Sequence, residues 1–341
     1  MQAGKRYKLI HTLNWTKKAI LVFTLWAFVP LVLHNYFDMH WIHLPWQPIS
    51  LIGIAVAFYL GFKNNSSYER MWEARKIWGG IVNTSRSITV MFRDFINNDE
   101  AINKHTDEEL GNIRKEMIHR HVSWLHALTY QLRKLKEWEH TDEKELIVRE
   151  ELGVTYSESQ FDKLKEYLNQ GDFEYVMSKG NRASHILSLQ SKRLSELRRQ
   201  GIVEHFRHLE IQALITELYT LQGKSERIKN FPFPRQYATV NYFFVVLFII
   251  LLPFGMVDVF SDNGDLHHIS WLSIPFSVVG SWVFWMMEMI GEYSENPFEG
   301  LYNDVPISSM AVGIERDIRQ MIEETDLPDP VDAKSKMDLL M

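Results

Sequence analysis

The chain has 341 residues, a net charge of -6 and no cysteine. That length allows one large domain or two ordinary ones, and the lack of a dominating basic face argues against nucleic acid as a partner. Without cysteine there is no disulfide framework, no thiolate catalysis and no Cys-based zinc site.

A mean hydropathy of -0.19 would suit a soluble protein. The average conceals two apolar zones, Ala19–Phe62 and Tyr237–Ile290, in an otherwise densely charged chain. Lys5, Arg6, Lys8, Lys17 and Lys18 precede the first zone in the manner of a signal peptide. No small-residue cleavage site follows, since the run after Val29 reads Pro30-Leu31-Val32-Leu33-His34-Asn35-Tyr36, so a retained span is expected.

Residues 1–18 form the first segment. Ala19 to about Phe37 is long enough to cross a hydrocarbon core, with Trp15, Trp26, Tyr36 and Trp41 towards the interfaces. A second apolar stretch from about Pro48 to Phe62 is short for a span, which predicts a helix that continues beyond the bilayer.

From residue 63 to 236 the chain is charged and favours helix. Apolar residues recur at helical spacing through Leu187, Leu194, Leu197, Phe206, Leu209, Ile211, Leu214, Ile215 and Leu218. An all-helical domain is predicted, with a looser stretch around Glu137 to Gly180. Phe231-Pro232-Phe233-Pro234 stops a helix, because proline biases the preceding residue out of helical geometry.

Two more spans follow within 237–290, Tyr237–Val257 and Trp271 to about Ile290, before a polar segment, 291–341. No Lys or Arg occurs between Lys18 and Lys63 or between Arg235 and Arg316, so both hairpins lack positive charge. The positive-inside rule then places both hairpins outside and the termini and middle domain in the cytoplasm of a plasma (inner) membrane protein.

The most informative run is Ile49-Ser50-Leu51-Ile52-Gly53-Ile54-Ala55-Val56-Ala57-Phe58-Tyr59-Leu60-Gly61-Phe62, continuing through Lys63-Asn64-Asn65 to Trp72-Glu73-Ala74-Arg75-Lys76-Ile77-Trp78-Gly79. With Arg227-Ile228-Lys229-Asn230, Leu252-Pro253-Phe254 and Glu295-Asn296-Pro297-Phe298, these motifs resemble the bestrophin family of ion channels, in its prokaryotic branch. The resemblance covers roughly residues 5 to 320 and implies a homopentamer around a central pore. Its second spans would line a hydrophobic neck, with rings at Ile54, Phe58 and Phe62.

Positions four apart lie on nearly one helical face, so three stacked rings are physically consistent. From spacing alone, such residues on a membrane helix more often meet lipid or another helix. Gly53, Ala55, Ala57 and Gly61 suit close helix packing. Lys63, Asn64 and Asn65 have two readings, a ring at the inner mouth of the neck or interfacial snorkelling. The resemblance also implies a cytosolic constriction, placed at Leu209 with Phe206 as the alternative; core packing is the competing role.

Animal members of the family follow Asn-Pro-Phe with an acidic run that clasps calcium. Here Glu299-Gly300-Leu301-Tyr302-Asn303-Asp304 supplies two separated acids, a poor match for a cation wanting six to eight oxygens. His119, His121 and His126 are read as surface histidines rather than a metal cluster. His267 and His268 lie in the outer hairpin, in the place of a pH sensor or an adventitious metal site. No enzyme signature is found, and no cofactor is expected.

The expected function is a channel for chloride or other monovalent anions, with lipid, permeant ions and further copies of the chain as partners. The alternatives are a monovalent cation (sodium) channel of the same architecture, and a non-conducting membrane scaffold or receptor. Apolar rings carry no charge to choose an ion. The acids Asp258, Asp262 and Asp265 of the outer hairpin would attract cations, whereas a ring at Lys63 would favour anions.

Overall fold

Apolar runs of this length fold as helices in lipid because every backbone N–H and C=O must find its partner within the segment. In the computed structural model, which describes residues 9–42, 44–261, 267–331 and 339–340, all regular elements are helical. They are α1 (Leu9–Phe37), α2 (Trp46–Phe95), α3 (Asp107–Arg133), α4 (Glu143–Leu152), α5 (Gln170–Met177), α6 (Arg182–Arg199), α7 (His205–Asn230), α8 (Arg235–Ser261), α9 (Ser273–Glu292) and α10 (Ile307–Gln320). Short 3₁₀ stretches occupy His40–Ile42, Glu158–Glu166 and His267–Leu272. Four segments are long and apolar enough to cross a membrane: α1, α2, α8 and Ser270–Glu292.

The chain divides into two units, 4–70 with 232–295, and 71–231 with 296–341. In the first, Phe23, Ile49, Val56, Leu60, Val245, Phe248, Ile249 and Leu252 form a core of interlocking apolar side chains. Small residues let the helices approach. A Cβ on Gly53 would meet the Phe248 ring at 2.7 Å, and one on Gly255 would meet Ile49 at 2.7 Å. Gly61, by contrast, faces open space.

Polar groups tie the same unit together at one end of its helices. Lys63 on α2 and Glu288 on α9 are only 6% and 1% exposed, and they form an ion pair. Asn241 on α8 donates to the second oxygen of Glu288, so one carboxylate joins three helices. A buried charge is tolerated only when paired in this way.

The larger unit has a core of its own. α3 starts at a capping box, Thr106 with Glu109, and buries both flanks of its second half. Trp124 donates to Gln222 on α7 at 2.9 Å, and Ile307, Ala311, Ile314 and Ile318 of α10 join the same apolar cluster. The stretch predicted as loose folds into two short helices and a 3₁₀ segment, α4, 158–166 and α5.

The turn after Asn296 is held by cationic side chains. Gly300 has φ +94°, and a Cβ there would meet Val154 at 2.9 Å, so only glycine suits the position. Arg133 Nη1 donates to the Phe298 carbonyl at 3.2 Å and stands 3.5 Å from Asp304 Oδ2. Arg149 Nε donates to the Glu299 carbonyl at 2.8 Å, and His140 Nδ1 lies 2.7 Å from Glu299 Oε1. Burial, reinforced by the neighbouring Glu299 charge, pushes Asp304 up to about 7.

Two expected outcomes follow from these buried charges. Lys63→Met leaves the Glu288 carboxylate buried without its cation and should cost about 3–5 kcal/mol. The double variant with Glu288→Leu should recover most of the thermal midpoint in detergent, and failure to recover would contradict the pairing. Asp304 keeps its proton in the folded chain over a range where the unfolded carboxyl, at about 3.9, has lost it. Its contribution to stability is therefore full below about pH 4 and is lost as pH rises through about 7. Relative to Asp304→Asn, the wild-type melting midpoint should decline from about pH 4 to about pH 8; parallel curves would contradict the assignment.

Candidate functional site

α2 runs unbroken for 50 residues, so the angular position of each side chain is fixed by its number. Val56 and Leu60 point into the core, and Ile54, Phe58 and Phe62 point out of it, at 70%, 66% and 59% exposure. The Phe58 and Phe62 rings meet edge to face, with centroids 4.6 Å apart. At about 100° per residue, Asn65 returns to within about 20° of Ile54 and so continues the stripe. Asn65 is exposed and donates to Glu69, also exposed, at 2.9 Å.

Lys63 departs from the expected ring. It lies about 180° around the helix from Ile54, on the packed side, where its ammonium is taken by Glu288. Its burial also rules out simple snorkelling, because the head group meets a carboxylate and not water. Asn64 is half-buried, and its Oδ1 sits 2.3 Å from where a Cβ on Gly291 would be. Of the three residues assigned to an inner mouth, only Asn65 shares the face of Ile54, Phe58 and Phe62. The same angular arithmetic places Glu69 about 60° around α2 from Ile54, on this face as well.

On α7, Phe206 and Leu209 are 71% and 51% exposed, whereas Ile211, Ile215 and Leu218 fill the core. Leu214 packs against that core as a partly buried residue. The two residues named for a constriction thus share no part in core packing. Their neighbour Arg207 stacks on Phe95, with its guanidinium 4.4 Å from the ring centre.

The histidines of α3 differ from the expectation of a surface location. His121 is 1% exposed and bonds Ser85 at 2.9 Å; burial pushes it down to about 3. His126 is buried beside Glu315 at 2.8 Å, and desolvation lowers it as well. His119 is half-buried against Glu324 at 2.8 Å. These are internal polar contacts of a packed helix. The side chains of His267 and His268, and residues Asp262 and Asp265, lie outside the described residues. Asp258, the remaining acid of that hairpin, accepts from the backbone N–H of Trp46 at 3.3 Å.

Among the described residues no group of three or more His, Asp or Glu is arranged to hold a metal ion. The turn 296–304 does not fit a hard divalent cation. The Phe298 and Glu299 carbonyls, which would serve as ligands, already accept from Arg133 and Arg149, and Asp304 shares its site with the Arg133 guanidinium.

The sequence matches the family model described as Bacterial/Fungal Bestrophin protein over residues 12–320. It is 29% identical to the voltage-dependent anion channel-forming protein YneE of Escherichia coli over 282 residues, 82% of this chain and 78% of that protein. A voltage-dependent anion channel-forming protein of Ralstonia nicotianae is 29% identical over 301 residues, 87% of this chain and 85% of the relative. A solved bacterial bestrophin homologue from Klebsiella pneumoniae superposes with a TM-score of 0.73 at 25% identity, covering 90% of this chain and 98% of that one. Four membrane-crossing helices, the matched second-span motifs and these likenesses agree, and the chain belongs to the bacterial and fungal bestrophin family.

Proposed function

We propose that the chain is the subunit of a homopentameric channel for chloride or other monovalent anions, with Ile54, Phe58 and Phe62 as successive rings of a hydrophobic neck. The observation that carries this reading is the exposed stripe on α2, apolar through three positions and then polar at Asn65 and Glu69, opposite a face packed on α8. Repeated around an axis, such a stripe forms a dry constriction that opens into a wetted mouth and gates by dewetting. Phe206 and Leu209, exposed on α7, are the candidates for a second constriction. Anions are favoured by the relatives named as anion channel-forming proteins. Charge asymmetry of the hairpins supports a plasma-membrane location with both termini cytoplasmic.

One observation favours a second reading, passage of monovalent cations. The Lys63 ammonium is neutralised by Glu288, so Lys63 supplies no free positive ring, and the exposed carboxylate of Glu69 lies on the face of the stripe. Attraction by such an exposed carboxylate near a narrow path raises the local cation concentration.

Planar bilayer recordings separate these readings. Ile54→Ala, Phe58→Ala and Phe62→Ala together should widen the neck and raise single-channel conductance several-fold, and unchanged currents would remove the neck assignment. In asymmetric NaCl the reversal potential should move towards the chloride equilibrium value. Movement towards the sodium value selects the cation reading, and a purified monomer without current selects a scaffold.

A further inference from the structure

The larger unit contains a cavity of about 140 Å³ between α3, the end of α4, the 158–166 stretch and the first turns of α10. That is several times the ~10–15 Å³ needed for one water molecule. Two cationic side chains line it, Arg133 and Lys163. Arg133 is 3% exposed, and although Nη1 serves the Phe298 carbonyl, its Nε and Nη2 are buried without any hydrogen-bond partner. A buried guanidinium with two unmet donors leaves a desolvation cost that an anionic acceptor would remove.

The rest of the lining points the same way. α10 begins in the cavity wall at Ser308, behind Pro306, which gives the helix no side-chain cap. Ser308, Ala311 and Val312, three and four positions apart, present one side of this helix to the cavity. Lys163 is half-buried and has no ion pair or hydrogen bond among the described residues.

Of the acids near the cavity, Glu166 is exposed to solvent, and the buried ones are engaged. Glu315 binds His126, Tyr167 and Arg319, at 2.8, 2.7 and 2.9 Å. Asp304 stands 3.5 Å from Arg133, too long for a good hydrogen bond, and its high proton affinity leaves it a partial counter-ion near neutrality. The polar residues Thr129 and Gln160 complete the wall, but both spend their side chains on nearby backbone, Thr129 on Leu125 at 2.9 Å and Gln160 on Thr155 at 3.1 Å. The unmet capacity is therefore of donors and of positive charge.

We propose that this cavity is a binding site for a compact oxyanion, inorganic phosphate or the phosphoryl group of a small metabolite, held by Arg133 and Lys163. Several acceptor oxygens on one centre suit the diverging donors of a guanidinium and an ammonium, whereas chloride offers a single centre. The site is separate from the neck residues, and its occupancy is read by binding alone, with no dependence on which ion the channel passes.

Calorimetric titration of the full-length protein in detergent, at constant ionic strength in gluconate, tests the proposal. Sodium phosphate should bind with one site per subunit. Lys163→Ala, a change at a half-exposed, unpartnered side chain that leaves the fold intact, should weaken binding about tenfold, and Arg133→Lys should weaken it further. Glycerol 3-phosphate binding as well as phosphate identifies the phosphoryl group of a metabolite as a sufficient ligand; binding of phosphate alone identifies the free anion. No heat up to about 20 mM phosphate, equal binding of chloride, or unchanged affinity in Lys163→Ala overturns it.

Discussion

A helix cannot rotate one residue relative to the next without breaking its hydrogen-bond ladder, and this constraint governs α2. Fifty residues at about 1.5 Å each give roughly 75 Å of helix with one continuous register. Once Val56 and Leu60 are committed to the membrane core and Lys63 to Glu288, the outward positions of Ile54, Phe58, Phe62 and Asn65 are no longer free. The packed face and the exposed face are two readings of one register.

Buried charge acts on both units in the same manner. In the membrane unit, a single carboxylate, Glu288, takes a proton donor from α2 and another from α8, so three helices meet at a point that hydrophobic packing alone would leave interchangeable. In the larger unit, two arginines fasten a turn by donating to its carbonyls, with its carboxylates at the longer distances of 3.5 and 3.6 Å. The second arrangement holds the turn through backbone and side chains together.

Much of this was legible in the sequence because it is written locally. Span lengths, the absence of Lys and Arg from both hairpins and the proline stop after α7 each reside in a few consecutive residues. The second-span motif also fixed the helix and its period. What the motif did not contain was the partner of each face. Lys63 and Glu288 are 225 residues apart, and nothing near either announces the other. His121 and His126 read as surface residues because their burial comes from Ser85 on α2 and Glu315 on α10, elements distant in the chain. On α7 the apolar recurrence ran through core and exposed positions alike, and only the packing of Ile211, Ile215 and Leu218 separated the core face from Phe206 and Leu209.

The turn held by Arg133 and Arg149 has one more implication. A turn fastened by a bound metal reports the concentration of that metal, because the ion leaves when its supply falls. A guanidinium attached to the chain has no dissociation equilibrium with the compartment. The conformation at 298–304 is therefore held by groups of the chain itself, and the fastening travels with the fold instead of being recruited from solution.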